Sequence, residues 1–343
     1  MKTAFLYQPL KNKSVLCTAC YHRCQISEGK TGICGVRQNI SGKLELLVFG
    51  KAIAVNIDPI EKKPFYHFLP ASKTFSIGTF GCNFRCLNCQ NYDLSQILGY
   101  KGNTRYYSKI AWGKTLSPKQ AVQAAQENGC ESIAYTYNEP TIWTEYALLI
   151  MKRAKKEKLF NLWVSNGFMT KETRETILPY LDAINIDIKS FSDQFYRENC
   201  GAFLAPVLEN CRNFKKKGVH LEITTLVIPT LSDNETMLKK LSQFIKRELG
   251  ADIPWHVTAF SGKISWKLQH LPETPAKVLE KIRQIGLNSG LKYVYAGNIL
   301  TPGLENTYCP KCSTTVIERM GYNVENHLKK GFCPNCGYQI LFR

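Results

Sequence analysis

Cys82, Cys86 and Cys89 stand in one short run, Gly81-Cys82-Asn83-Phe84-Arg85-Cys86-Leu87-Asn88-Cys89, with the spacing C-x3-C-x2-C. Iron–sulfur clusters are held by Cys thiolates, usually four of them. Three thiolates can hold three irons of a 4Fe-4S cube and leave the fourth iron open. An open iron can bind and reduce a substrate, whereas a fully ligated cluster only passes electrons. The simpler alternatives for such a run are a zinc knuckle or loose surface thiols.

A reactive loop needs a frame. Between about residue 74 and residue 297, strand-like and helical runs alternate. The spacing predicts strands over 74–79, 131–136, 160–165, 183–188, 219–228 and 255–260, with a short last one over 292–295. Helices are expected over 117–128, 141–156, 171–180, 205–217, 235–249 and 275–288. The first carries Ser117 as N-cap, Pro118 at its first position and Gln120 at its third, a capping-box pattern. Repeated βα units imply a parallel sheet. Six are too few for a closed eight-stranded barrel, so the expected fold class is α/β, a partial (β/α)6 TIM-like barrel. Residues 74–304 form this core, 1–73 a Cys-rich module with a hairpin, and 305–343 a small Cys-rich C-terminal module.

Active sites of βα-barrels form at the C-terminal ends of the strands. The cysteine loop follows the first strand. Asn138 and Glu139 follow the second, Asn166 the third, and Asp187 and Lys189 end the fourth. His256 lies in the sixth. Each has an ordinary structural explanation: a helix-start acid, a turn, an ion pair or a satisfied core histidine. Their recurrence at one end of successive strands favours a shared ligand site.

The chain has 343 residues and 44% hydrophobic residues, enough for a sizeable core. No run approaches the roughly 18 apolar residues of a membrane span, and the N-terminus lacks a secretory apolar region. A cytoplasmic protein without membrane contact is expected. The formal net charge of +18 suits a polyanion, RNA among them, or a solvated basic face. Eleven of the 14 cysteines fall in three groups, which argues for metal ligation over disulfides. Cys309, Cys312, Cys333 and Cys336 form two C-x2-C units 20 residues apart, the spacing of a zinc ribbon. Cys17, Cys20, Cys24 and Cys34 could hold structural zinc or a second Fe–S cluster. Cys130, Cys200 and Cys211 are expected to pack as small hydrophobes. Glu61 to Phe68 reads as a linker packing its aromatics on the barrel, with substrate contact as the alternative.

The run Gly78 to Cys86 followed by Cys89-Gln90-Asn91 resembles radical S-adenosylmethionine (SAM) enzymes of the AmmeMemoRadiSam type, relatives of pyruvate formate-lyase-activating enzymes. The resemblance extends through Cys17-Thr18-Ala19-Cys20-Tyr21-His22-Arg23-Cys24, Asp58-Pro59-Ile60-Glu61-Lys62-Lys63-Pro64, Tyr137-Asn138-Glu139-Pro140, Ile186-Asp187-Ile188-Lys189, Trp255-His256-Val257 and Glu305-Asn306-Thr307-Tyr308-Cys309. It implies a 4Fe-4S cluster on Cys82, Cys86 and Cys89, with SAM on the open iron. Asn138 and Glu139 would contact its amino group. Asn166 would reach its carboxylate or ribose, and Asp187, Lys189 and His256 would lie near SAM or substrate. The residue before the third cysteine, usually aromatic or hydrophobic in the family, is Asn88. The implied reaction is reductive cleavage of SAM to a 5′-deoxyadenosyl radical that takes hydrogen from a substrate. A low-potential donor of the flavodoxin or ferredoxin type would supply the electron. A protein or peptide glycine is the expected target. The alternatives are an RNA-modifying radical SAM enzyme and a non-catalytic multi-metal scaffold.

Overall fold

A computed structural model describes residues 2–96, 113–299 and 301–340. Its centre is an eight-stranded sheet: β1 (Ala54–Pro59), β2 (Lys73–Gly78), β3 (Ser132–Tyr135), β4 (Phe160–Ser165), β5 (Ala183–Asp187), β6 (His220–Val227), β7 (Trp255–Ala259) and β8 (Val294–Gly297). The strands lie in the order β8-β7-β6-β5-β4-β3-β2-β1, so among the described residues β1 and β8 are edges and the sheet is not closed. β2 through β8 pair in parallel. Among the described residues the frame thus has seven parallel strands, the six expected and the short last one, which runs Val294–Gly297. β1 adds antiparallel to β2, with Ala54 opposite Gly78 and Pro59 opposite Lys73. This edge strand belongs to the barrel sheet although it falls within residues 1–73.

Helices α1 (Pro118–Glu127), α2 (Thr144–Lys156), α3 (Lys171–Ile177), α4 (Ala205–Lys216), α5 (Glu235–Phe244) and α6 (Ala276–Asn288) connect the parallel strands. The capping box at α1 forms: Ser117 Oγ accepts from Gln120 N at 3.3 Å, and Gln120 Oε1 accepts from Ser117 N at 2.9 Å. The run after Phe244 continues as a π-helical turn, Ile245–Leu249. A second π-helical turn, Tyr196–Cys200, was not signalled by any periodicity. Central strands such as β3 and β4 are buried along most of their length, as expected for a sheet covered on both faces. No described helix is long and apolar enough to cross a membrane.

The segment after β1 fills the barrel from its N-terminal side. Phe65, Tyr66, His67 and Phe68 are all buried. Fully buried Glu222 on β6 receives the backbone N–H of Tyr66 at 3.0 Å and of His67 at 2.8 Å. It also pairs with His220 at 2.9 Å and His256 at 2.6 Å. Burial alone would raise the Glu222 carboxyl, but the two histidines hold it well below the usual carboxylate range. The linker reading of this segment is therefore the packing one, with a polar anchor that was not anticipated.

The N-terminal module consists of two three-stranded antiparallel sheets. The expected hairpin is there, Arg37–Ile40 against Lys43–Leu46. Arg37 fastens this module to the barrel. Its guanidinium donates to Glu145 Oε1 at 3.1 Å, to Glu145 Oε2 at 2.5 Å and to the Ile142 carbonyl at 2.8 Å, all out of water. The C-terminal module is a three-stranded antiparallel sheet. Its Arg319 donates to the Tyr66 carbonyl at 2.9 Å and lies over the Tyr66 ring at 4.2 Å.

Removing one partner of a buried ion pair leaves the other charge stranded, at a cost of about 3–5 kcal/mol. Glu145→Ala is expected to lower unfolding stability by that amount in chemical denaturation. A loss of less than about 1 kcal/mol, as for a surface pair, would show that the pair does not anchor the module.

Candidate active site

The cysteine loop leaves the C-terminal end of β2 and is held from three sides. At its start, Gly78 lies so close to the next strand that a Cβ there would meet the Thr136 carbonyl at 2.8 Å. Gly81, at φ +86°, faces the N-terminal module: a Cβ would sit 2.5 Å from the Cys34 carbonyl oxygen and 2.8 Å from Val36 Cγ1. Only glycine combines that backbone with that clearance. On the third side, Arg85 N donates to the Cys200 carbonyl at 2.8 Å and Leu87 N to the Asn199 carbonyl at 2.9 Å. The π-helical turn Tyr196–Cys200 thus acts as a splint for the loop. Asn88 joins it, accepting from Asn199 Nδ2 at 2.7 Å, which gives this unusual residue a structural role.

The three thiols are enclosed but not sealed: Cys86 is buried, and Cys82 and Cys89 are half-buried. Phe84 N donates to Cys82 Sγ at 3.4 Å, and Ser95 Oγ lies 3.1 Å from Cys89 Sγ. Burial raises the Cys82 and Cys89 thiols, and each of the three feels the others. Such a group is costly to ionise alone and is suited to a cationic iron cluster, which binds thiolates. Asn83 Nδ2, beside Cys82, is buried without a hydrogen-bond partner among the described residues. Donor set and orphaned amide both fit a cluster here.

Asp187 and Lys189 reach this site from the end of β5. Their side chains meet at 3.0 Å. Burial works against the Lys189 ammonium, but Asp187 and then Cys86 and Cys200 raise its pKa well above the ordinary value. Cys200 is the residue that sequence reasoning missed. Expected as a packing thiol, it lies beside Cys86 and is the largest influence raising the Cys86 thiol. No local spacing marks Cys200; only the splinting turn brings it there.

Glu139 and Asn166 lie one layer behind the thiols. Glu139 accepts from Thr141 Oγ1 at 2.5 Å, Ser165 Oγ at 2.8 Å and Asn166 N at 2.7 Å. Burial raises its carboxyl despite these bonds. Asn166 Nδ2 donates to Asn83 Oδ1 at 2.8 Å, linking this group to the cysteine loop. Asn138 holds the loop itself. Its amide donates to the Gly81 carbonyl at 2.8 Å, and its oxygen accepts from Thr79 N at 3.1 Å and Trp143 Nε1 at 3.2 Å. The Asn138 oxygen expected to meet an amino group is therefore occupied within the protein.

His256 is not gathered with these residues. It pairs with Glu222, stacks on Tyr295 at 5.2 Å and meets the edge of Tyr66 at 4.6 Å. With Glu61, Tyr66 and Glu305 it lines a cavity of about 370 Å³ near the open edge of the sheet. Its strand position was readable; its partner on β6 was not.

Elsewhere, the sulfurs of Cys309, Cys312, Cys333 and Cys336 lie within 4.8 Å of one another. Two pairs, Cys309–Cys336 and Cys312–Cys333, stand at 3.6 Å.

Residues 76–241 match the Radical SAM superfamily model. The protein MJ0808 of Methanocaldococcus jannaschii is 38% identical over 99% of both chains. The pyruvate formate-lyase 1-activating enzyme of Escherichia coli is 22% identical, covering 63% of this chain and 89% of its own. A radical SAM methyltransferase from Sphaerobacter thermophilus shares the fold at a TM-score of 0.50 and 13% identity, over 67% of each chain. With the cysteine loop at the C-terminal end of β2 and these likenesses along its length, the chain belongs to the radical SAM superfamily and has homologues among its activating enzymes.

Proposed function

We propose that this protein is a radical SAM enzyme of the AmmeMemoRadiSam type that removes hydrogen from a protein or peptide, as an activating enzyme does. The observation that carries the reading is the three-thiol loop, splinted at the strand ends beside Lys189 and Asp187. When bound, the 4Fe-4S cluster and SAM supply reductive cleavage of the sulfonium and a 5′-deoxyadenosyl radical.

The protein's own residues do the rest. Cys82, Cys86 and Cys89 are the cluster ligands. Asn138 sets the loop's height by gripping the Gly81 carbonyl. Glu139 and Asn166 orient Asn83 against the cofactor side. Lys189, charged and shielded, supplies a cation for a carboxylate of SAM, with Asp187 as its counter-ion. His256 serves on the substrate side, at the cavity wall. Cys309, Cys312, Cys333 and Cys336 hold structural zinc, a reading supported by the tight sulfur spacing. The electron comes from a flavodoxin- or ferredoxin-type donor. Free thiols throughout suit a reducing compartment such as the cytoplasm. The activating-enzyme homologues favour a protein target over RNA.

Incubation with SAM and dithionite is expected to release 5′-deoxyadenosine and methionine, and Cys86→Ala to abolish both. Product release unchanged in Cys86→Ala would overturn the enzyme reading. For the substrate, protein extracts carrying deuterated glycine are expected to pass deuterium into 5′-deoxyadenosine. Label arriving only from deuterated RNA would overturn the protein reading.

A further inference from the structure

The N-terminal module brings Cys17, Cys20, Cys24 and Cys34 together at one place. Cys17, Cys20 and Cys34 are buried and Cys24 is half-buried; none is in a disulfide. The fold is local and tight. Cys17 N donates to the Cys24 carbonyl at 2.9 Å, and Arg23 N to the Cys20 carbonyl at 3.0 Å. Arg23 takes a left-handed turn, φ +42°, to make this possible. Cys34 enters from a second turn, closed by Gly35 N to the Gly32 carbonyl at 2.9 Å. Gly32 leaves the space: a Cβ there would lie 3.6 Å from Cys24 Sγ and 3.3 Å from Ile26 Cδ1. Four free thiols, three of them buried, held in one small module suit a cation.

The spacing chooses the kind. One tetrahedral zinc binds sulfur at about 2.3 Å and needs its four ligands close. The C-terminal four meet that demand, all within 4.8 Å. Among the described residues, the N-terminal four do not close to that span, and neither do Cys82, Cys86 and Cys89. The N-terminal four are thus spread wider than the zinc-type site.

The location gives a use. The Cys34 carbonyl fills the space where a side chain of Gly81 would be, next to Cys82. His22 Nε2 lies 2.8 Å from the Asn83 carbonyl, and Arg85 bonds the Ile33 carbonyl. The two cysteine groups share a wall of backbone.

We propose that Cys17, Cys20, Cys24 and Cys34 bind a second iron–sulfur cluster, a one-electron centre set against the cysteine loop of the radical SAM site. The location argument rests on the radical SAM reading of that loop; the metal assignment does not. Such a centre gains one electron from an external low-potential donor and returns to its oxidised state on giving it up. Zinc, without redox chemistry, could not serve.

The test is metal and sulfide content of the full chain, reconstituted anaerobically, with Mössbauer spectra. The triple variant Cys82→Ala/Cys86→Ala/Cys89→Ala is expected to keep about four irons with matching sulfide, plus one zinc. Adding Cys24→Ser should remove that iron and leave the zinc, with circular dichroism showing a folded chain. A triple variant holding two zincs and no iron overturns the proposal. So does iron in the triple variant that survives Cys24→Ser, Cys17→Ser and Cys20→Ser together. If the wild type holds no more iron than the triple variant, the radical SAM reading fails and the second site stands.

Discussion

The carbonyl oxygen of Cys34 occupies the space that a side chain at position 81 would need. That single close approach ties three parts of the molecule together. It forces residue 81 to be glycine and turns the chain at φ +86° just before Cys82. It presses the N-terminal module onto the barrel, where Arg37 and Glu145 lock it. The cysteine loop is therefore wedged between the barrel and the N-terminal module. It can carry half-exposed thiols in a fixed arrangement without a regular element of its own.

Polar groups inside the barrel extend this constraint. Asn138 and Asn166 both spend side-chain hydrogen bonds on the cysteine loop, and Glu139 aligns Asn166. Buried groups of this kind are costly unless satisfied, so they specify one loop position among many. Below them, Glu222 collects two backbone amides and two histidines. It fixes the Tyr66–His67 segment, on which Arg319 of the C-terminal module then rests. Both end modules are thus read through the core. The cysteine loop and the cavity beside His256 share one frame.

Much of this was legible in the chain. Period and punctuation located the parallel strands and connecting helices, the short last strand two residues early, because the strands are apolar runs and the helices carry caps such as Ser117 and stops such as Gly129. The thiol loop was readable from spacing. Other features were not, for physical reasons. β1 has exposed Asn56 and Ile57 at its middle and gains its identity only by pairing with β2. Residue types at Asn138 and Asn166 announced polar work, but not whether the partner was a ligand or the loop. His256 was legible as a buried histidine on a strand; Glu222, which decides its role, lies on the neighbouring strand. Cys200 depends on a π-helical turn that has no sequence period.

The central claim is an iron left open by three thiolates and available to SAM. Its most direct test is the electron paramagnetic resonance spectrum of the dithionite-reduced protein before and after SAM is added. Binding at the open iron is expected to shift the signal that depends on Cys82, Cys86 and Cys89, and to leave a signal that persists in their alanine variants unchanged. A thiol-loop signal that SAM does not alter would contradict the account.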